Sequence, residues 1–475
     1  MSQDTKSRQR WLIKNTGILA LGTISSKVLT FMLLPVYTNI LSTEDYGTVD
    51  VLMTIVTLSV PFITLQLFSA VFRFIIEEEH DKKGQSVIIT TGILPAVLNY
   101  VVACILVLIL NCFIKVPYCG LILLYFAANI VFEYAQCIMR GFGKNTLYSL
   151  MSFLMTLIIL VSNIVMLLLL HMKGETILIS NILAYFTMGI IVFFRLHLQE
   201  YIHWKSFSRT KLKEMLKYSM PLIPNTISWW IANTSDRLII TFVLGAGANG
   251  IYAAANKIPN IYTTVFNVFN IAWSESLSRG VKDPSQEKFV KQMFSRCFKL
   301  FGCLNLGLIS VISLIFNFLI GAAYADAYPQ VFILILAIFF NSICSLYGGM
   351  FDAYKKSAIT GTTTVIGAVV NLIVNISLIK FIGLYAASLS TLVSYLVILG
   401  MRKHYADQII PIRWPKRYML EALAVLVLIS AGYFARNYLV NLAILCVVAF
   451  WSYWTNREII NDTMGAALGK LMRRG

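Results

Sequence analysis

The amino-acid sequence predicts an all-α, polytopic membrane protein. Its 475 residues are 58% hydrophobic and only 13% charged, and the mean hydropathy is +0.75, whereas soluble domains are roughly 45–50% apolar and about 25% charged. The apolar residues form runs long enough to cross a membrane, and Lys and Arg are concentrated in alternate loops between these runs. Composition and patterning together predict fourteen transmembrane helices.

The limits of the spans follow from the length of about 20 mostly apolar residues that a membrane-spanning helix needs. The predicted spans are 12–36, 47–72, 86–114, 117–139, 147–170, 175–196, 218–243, 249–275, 296–320, 329–352, 361–381, 384–401, 417–435 and 438–455. If both termini are cytoplasmic, the inner segments hold nearly all Lys and Arg. Four outer loops then hold one cation each, namely Lys115, Lys173, Lys380 and Arg436. This distribution follows the positive-inside rule and predicts cytoplasmic termini.

Two long basic connections, 198–217 and 402–417, divide the spans into groups of six, six and two. The expected parts are an N-terminal lobe (1–200), a C-terminal lobe (201–405), two further helices (406–455) and a cytoplasmic tail (456–475). The loops that open the two lobes are related, since 41–47 and 244–250 each run from Leu to Gly over the same distance. Six spans per lobe gives parallel repeats, which predict a binding site between the lobes.

The stretch 220–274 is the strongest candidate for a functional site, because fixed charges interrupt apolar runs there. Asp236 and Arg237 lie in one predicted span and Lys257 lies in the next. Ionisable residues inside a membrane are costly and mark functional sites. Polar residues recur in the second span at steps of three or four: Asn256, Asn260, Thr263, Asn267, Asn270 and Ser274. This spacing places them on one face of a helix and predicts the wall of a water-filled cavity.

Less specific interpretations of these residues stay open. Asn and Thr in membrane helices often join helices through hydrogen bonds, and Asp236 beside Arg237 can form a local ion pair that only fixes packing. Lys27 and Lys257 have no acidic residue within one helical turn, which favours a role in a cavity. Three cations lie within the spans: Lys27, Arg237 and Lys257. Three acidic residues formally balance their charge, namely Asp50, Glu133 and Asp236. The predicted cavity is therefore polar and mixed, and suits a large hydroxylated solute with an anionic group.

Other functional classes lack their sequence signatures. The chain has no Gly-x-x-x-x-Gly-Lys-Ser/Thr phosphate loop, its five His show no metal-ligand spacing, and its eight Cys form no Cys-x-x-Cys pair. No built-in ATPase, metal or cofactor is therefore predicted. The outer loops are too short to carry the catalytic groups of an enzyme. The net charge of +17 predicts contact with anionic phospholipid headgroups rather than nucleic acid.

Three stretches of the sequence together resemble a known family. They are LPVYTNILSTEDYG at 34–47, PLIP at 221–224 with SDR at 235–237, and GIYAAANKI at 250–258. Their order and spacing resemble the bacterial polysaccharide repeat-unit flippases of the multidrug/oligosaccharidyl-lipid/polysaccharide exporter superfamily. The resemblance covers nearly the whole chain, including its length and number of spans, and implies a V-shaped, two-lobed transporter in the bacterial cytoplasmic membrane.

The resemblance also implies a substrate, which would be a short saccharide on polyprenyl pyrophosphate of the undecaprenyl type. It would be moved from the inner to the outer leaflet during assembly of O-antigen lipopolysaccharide, capsule or exopolysaccharide, with polymerases as implied partners. The residues expected to contact it are Lys27, Trp229, Asn233, Arg237, Asn256, Lys257, Asn260 and Asn267. The family is thought to use an ion gradient, of H⁺ or Na⁺. The candidates for ion coupling are Asp50, Glu133 and Asp236.

A drug/cation antiporter and a lipid II flippase are the alternative functions within the superfamily. A drug/cation antiporter predicts an acidic pocket, and three basic residues inside the spans argue against it. The two final spans are typical of repeat-unit and lipid II flippases, because drug exporters usually end after twelve. A membrane glycosyltransferase or polymerase is the alternative of another class, and the short outer loops disfavour it.

Overall fold

The structure of the protein, a computed structural model, describes residues 26–27, 29–78, 81–281 and 283–472. Side chains are described except those of 225, 228–229, 232–233, 459–460 and 462–472. Contacts divide the chain into two compact units, Met1–Ala253 and Ala254–Gly475. This division falls within predicted span 8, and the lobe limits near residues 200 and 405 stay a prediction.

Every regular element of the described residues is helical, so the predicted fold class is confirmed. In the first unit the helices are α1 (Leu29–Ile40), α2 (Thr43–Ile63), α3 (Leu67–Glu77), α4 (Lys82–Phe113), α5 (Cys119–Gly141), α6 (Asn145–Ile164, extended by the π-helix Val165–Leu169), α7 (Glu175–Arg195), α8 (Arg209–Ser219) and α9 (Leu222–Leu244). Helix α10 (Ala246–Lys257) contains the boundary between the units. In the second unit the helices are α11 (Pro259–Gly280), α12 (Gln286–Leu319), α13 (Ala327–Ala353), α14 (Ser357–Ile382), α15 (Leu384–Asp407), α16 (Lys416–Ala435) and α17 (Tyr438–Met472).

Eleven helices within the described ranges are long and apolar enough to cross a membrane. They overlap predicted spans 2 to 6 and 9 to 14. Predicted span 1 begins outside the described residues, and the helices of spans 7 and 8 carry the polar residues of the candidate site. The total of fourteen spans and the cytoplasmic termini therefore stay predictions.

Predicted span 2 (47–72) is not a single helix. The chain leaves the helix after α2, where Leu65 and Gln66 adopt φ angles of 52° and 55°, a left-handed region that is unfavourable for residues with a Cβ atom. Inside a membrane, backbone groups freed by such a break need protein partners. Asn99 Nδ2 donates to the carbonyl oxygen of the last α2 residue over 2.9 Å, and Gln66 Nε2 donates to Thr226 Oγ1 over 2.7 Å.

Predicted span 8 (249–275) is also divided. Helix α10 ends at Lys257, and Pro259 is the first residue of α11. Proline has no backbone N–H and cannot continue the hydrogen-bond ladder of a preceding helix. The prediction of one continuous polar face is therefore wrong for Asn256, which belongs to α10, whereas the other five polar residues belong to α11.

The core of the second unit fixes the orientation of α11. Tyr262, Phe266 and Trp273 are buried on one side of this helix. The hydroxyl of Tyr262 donates to the carbonyl of Phe301 on α12 over 3.1 Å, and Trp273 Nε1 donates to the carbonyl of Leu346 on α13 over 3.0 Å. Buried Tyr and Trp need such partners, so these bonds set which face of α11 is left uncovered.

Candidate functional site

Charged residues of predicted spans 2 and 7 meet in the first unit. Arg237 on α9 donates from Nη1 to Oδ1 of Asp50 on α2 over 2.7 Å, although 187 residues separate them. Their side chains are 24% and 11% exposed, so the pair is mostly removed from solvent, where attraction between charges is stronger than in water. Arg237 is therefore neutralised by another helix, and the pair joins α2 to α9.

Asn249 on α10 completes this contact. Its Nδ2 donates to the carbonyl of Gly47 over 3.0 Å and to Oδ2 of Asp50 over 3.3 Å. Asn249 is fully buried, and its Oδ1 has no hydrogen-bond partner among the described residues. Asp50 thus accepts from two helices, through one oxygen from Arg237 and through the other from Asn249. Such a charge-assisted acceptor holds its donors strongly, and Asn249 Oδ1 remains able to accept from water or a hydroxyl.

Close packing of α2 against α10 makes this geometry possible. A Cβ atom at Gly47 would lie 1.8 Å from the carbonyl oxygen of Ala246, and a Cβ atom at Gly250 would lie 2.0 Å from that of Thr43. Both distances are far below van der Waals contact, so both positions require glycine. These glycines end the two loop segments that are related in sequence, and the two segments pack on each other.

Asp236 does not pair with its neighbour Arg237. Tyr252 on α10 donates its hydroxyl to Oδ2 of Asp236 over 3.0 Å, and both residues are buried. Consecutive residues of a helix do not face the same neighbour, so Asp236 and Arg237 contact different helices. The local ion pair, one of the interpretations left open by the sequence, is wrong because Arg237 pairs with Asp50.

The polar side of α11 is open. Asn260 and Asn267 are exposed on this helix, and Thr263 and Asn270 are half-buried. No hydrogen bond joins the side-chain amides of Asn260 and Asn267 to a residue that the structure describes. For these two residues the arrangement favours a polar surface over the alternative of hydrogen bonding between helices.

Of the remaining predicted site residues, four have side chains that the structure describes. Lys27 is exposed near the start of the described chain, and Glu133 is half-buried on α5. Asn256 and Lys257 are half-buried at the end of α10. The side chains of two candidates on α9 lie outside the described part of the structure: Trp229 and Asn233.

The contact of Asp50 and Arg237 can bind a ligand through charge and hydrogen bonds, and it lacks the features of a metal site among the described residues. Within the described ranges, no group of three or more His, Cys, Asp or Glu side chains could hold a metal ion, and the eight cysteines are free thiols. The Arg237 guanidinium presents several donors in one plane, which match phosphate or carboxylate oxygens. Asp50 presents a carboxylate to the same contact. The contact can therefore hold an anionic group at Arg237 or a cation at Asp50.

A family profile described as polysaccharide biosynthesis protein matches residues 12–274, which is more than half of the chain. The chain belongs to this polysaccharide biosynthesis family. A relative of this chain is an uncharacterized membrane protein of Methanocaldococcus jannaschii. The two are 23% identical over 428 residues, which cover 83% of this chain and 99% of the relative.

Solved structures extend the comparison to the fold. The lipid II flippase MurJ, in an inward closed conformation, aligns with a TM-score of 0.69 and 14% identity over 93% of this chain and 99% of its own. An inward-facing multidrug resistance MATE family transporter of the MOP superfamily aligns with a TM-score of 0.68 and 12% identity over 80% and 94%. The chain is therefore a multi-pass membrane protein with the fold of these transporters, and the family profile confirms the resemblance to polysaccharide biosynthesis proteins.

Arg402 is the buried charge that sequence reasoning missed. The sequence assigned it to a cytoplasmic loop, but α15 continues beyond it and leaves it only 6% exposed. Its guanidinium donates to four neutral oxygen atoms: Thr363 Oγ1 (3.0 Å), Cys344 O (2.7 Å), Thr360 O (3.3 Å) and Thr364 Oγ1 (3.0 Å). The threonine-rich start of α14 was the available signal, because several hydroxyl groups near a helix end can satisfy a buried cation.

Proposed function

We propose that this polysaccharide biosynthesis protein is a transporter of the cytoplasmic membrane that flips a polyprenyl-pyrophosphate-linked oligosaccharide from the cytoplasmic to the outer leaflet. The family and the exporter fold support a transporter. The substrate class is proposed from two observations. Arg237 on α9 pairs with Asp50 on α2, and α11 exposes the amides of Asn260 and Asn267, which have no hydrogen-bond partner among the described residues. A pyrophosphate needs a cationic partner such as Arg237, and a sugar chain needs hydrogen-bonding groups such as these amides.

Arg237 is proposed to exchange its carboxylate partner for the pyrophosphate. Guanidinium groups bind phosphate oxygens with two parallel hydrogen bonds, and the 24% exposure of the Arg237 side chain leaves an approach for a ligand. A phosphate that replaces Asp50 keeps the cation balanced, which avoids the large cost of an unpaired buried charge. Lys27 and Lys257 are the further cations proposed to contact the substrate.

Asp50 is proposed as the group that couples transport to an ion gradient. Protonation of its carboxylate, or binding of Na⁺ to it, weakens the attraction to Arg237 and loosens α2 from α9 in the same way as substrate binding does. Substrate and ion then act on one contact, which is the requirement for coupling between them. Glu133 and Asp236 are further candidates for this role.

The polar side chains of spans 7 and 8 are proposed to contact the sugars. Amide groups both donate and accept hydrogen bonds, so they match hydroxylated rings of varied stereochemistry. The amides in this role are those of Asn233, Asn256, Asn260 and Asn267. Trp229 adds an aromatic face against which the apolar side of a sugar ring can pack.

The decisive experiment is reconstitution of the full chain in liposomes that contain a fluorescent lipid-linked oligosaccharide. A membrane-impermeant quencher then measures how much label moves between leaflets under imposed H⁺ or Na⁺ gradients. We expect transfer by the native protein. The rate for Arg237→Gln should be about one tenth of the native rate or lower, because the substitution removes roughly one charged hydrogen bond. The matched control is Arg417→Gln, since the Arg417 side chain is 95% exposed.

Two results would contradict the proposal. Absence of leaflet transfer under every gradient would remove the flippase function. If Arg237→Gln transported at the native rate, as the control Arg417→Gln should, Arg237 would have a role in packing alone, whatever the substrate.

A lipid II flippase is the second candidate, and the alignment with MurJ over 93% of the chain favours it. The two functions share polyprenyl pyrophosphate and differ in the attached sugars, so competition between lipid II and a lipid-linked oligosaccharide in the same liposomes separates them. A drug/cation antiporter fits less well, because the carboxylate of Asp50 is already paired with Arg237. A glycosyltransferase or polymerase would lengthen the saccharide, which the same assay detects by mass.

A further inference from the structure

A separate cavity lies in the second unit, where the connection between α15 and α16 folds against the helix ends. Its volume is about 750 Å³. The charged residues of its lining are Lys403, Asp407, Arg413 and Lys416, and the apolar residues include Trp414 and Met419. The cavity shares no residue with the contact of Asp50 and Arg237.

The walls of this cavity are anchored to the core. Oδ1 of Asp407 accepts the backbone N–H of Ile412 over 3.1 Å, and Ile412 is buried. Trp414 Nε1 donates to the hydroxyl of Tyr347 over 2.8 Å, and the Trp414 ring lies 5.9 Å from that of Phe298. The connection is therefore packed against the core, and the protein's own contacts form the walls of the cavity.

The charge of the lining is positive. Asp407 forms an ion pair with Lys403, so one carboxylate and one cation cancel. Arg413 and Lys416 are exposed, and no ion pair joins either one to a residue in the described ranges. Lys416 also begins α16, where the helix dipole adds positive potential. Two cations are thus available to an anionic group.

The composition of the lining matches a lipid headgroup. The charge pattern of the sequence predicts that this connection lies on the cytoplasmic side, where anionic phospholipids attract Lys and Arg. Trp is enriched at the level of the headgroups, and Met419, which is 36% exposed, adds an apolar wall. A free phosphate ion would contact only the cations Arg413 and Lys416 and would leave the apolar side chains of Trp414 and Met419 exposed to water.

We infer that this cavity binds the phosphate of an anionic phospholipid, with Arg413 and Lys416 on the phosphate and Trp414 and Met419 beside the glycerol and the first acyl carbons. The bound lipid would tie the α15–α16 connection to the inner leaflet. This inference does not depend on the transported substrate.

The test is native mass spectrometry of the full chain, titrated in detergent with phosphatidylglycerol, phosphatidylcholine or soluble glycerol phosphate. We expect phosphatidylglycerol to bind most tightly. The double variant Arg413→Gln/Lys416→Gln should weaken that binding roughly thirtyfold, the effect of two basic residues at a membrane surface. The matched control is Lys355→Gln/Lys356→Gln, which removes the same charge from two exposed residues between α13 and α14.

Three outcomes would overturn the inference. Equal weakening in both double variants would mean a diffuse effect of net charge. Equal binding of phosphatidylcholine would remove the need for an anionic headgroup, and equal binding of glycerol phosphate would identify a site for a soluble phosphate. If the first double variant does not fold, Arg413→Gln and Lys416→Gln are titrated singly, and native affinity in both would also overturn it.

Discussion

Arg237 on α9 and Arg402 on α15 are mostly buried arginines of the two units, and their surroundings differ. Arg237 has one partner of opposite charge, Asp50, at 2.7 Å, and its side chain is 24% exposed. Arg402 is 6% exposed and donates to four neutral oxygen atoms on α13 and α14. Arg237 is therefore balanced by the negative charge of a carboxylate, and Arg402 by the dipoles of neutral carbonyl and hydroxyl groups.

The difference teaches which buried arginine can take part in transport. A cation held by one carboxylate loses its partner when that carboxylate is protonated or another anion arrives. A cation held by four neutral acceptors has no single partner to lose, and removing it breaks four hydrogen bonds of a buried guanidinium. We therefore assign Arg402 to the rigidity of α13–α15 and propose Arg237 for the moving contact.

The largest expected effect is that of Arg402→Leu. It should lower the free energy of unfolding by about 2–4 kcal/mol, because the substitution breaks the four hydrogen bonds of the buried guanidinium. Thermal unfolding of the purified protein in detergent measures the change. The control Arg417→Leu, at an exposed position, should stay within about 0.5 kcal/mol of the native protein; equal losses in both would refute the structural role of Arg402.

Replacement by lysine should separate the two arginines next. Arg402→Lys should retain little of the lost stability, since one ammonium group cannot reach four acceptors that a planar guanidinium spans. Arg237→Lys should fold with native stability to within about 1 kcal/mol, because a single carboxylate is satisfied by a point charge. The same unfolding measurement checks both, and a reversed order would break the comparison.

A smaller effect is expected for the coupling between Asp50 and Arg237. A double-mutant cycle of Asp50→Ala and Arg237→Ala should give an interaction free energy of about 1–2 kcal/mol, the range of a partly exposed charged hydrogen bond. Unfolding midpoints of the four proteins provide it. A value near zero would mean that the pair does not hold α2 to α9.

The smallest effect belongs to a fully solvated pair, Lys82 with Glu200. The hydrogen bond from Lys82 and its charge lower the pKa of the Glu200 carboxyl. Stability from a lowered carboxyl pKa is present above the unfolded value of about 4.3 and is lost as the pH falls through the folded value. The Tm difference between native protein and Glu200→Gln should therefore be small near neutral pH and vanish in acid. A difference that grows on acidification would contradict this sign.

The sequence predicted the helices better than the contacts of the candidate residues. Runs of apolar residues gave the helices, and the charge of Arg237 within such a run gave the candidate. Hydropathy could not show the break at Leu65 and Gln66, because it records no backbone angles. Hydropathy also misplaced Arg402. It assigns a cation near the end of a span to a loop, because it cannot detect threonines on a neighbouring helix that surround the cation.

By itself, the sequence determined that this is a helical membrane protein and where most of its spans lie, because burial in lipid requires long apolar runs. Only the tertiary structure decided which charges are partners. Asp50 reaches Arg237 across 187 residues because Gly47 and Gly250 let α2 and α10 approach at backbone distance. The rotation and crossing of helices set such pairings, and neither is written in the spacing along one helix.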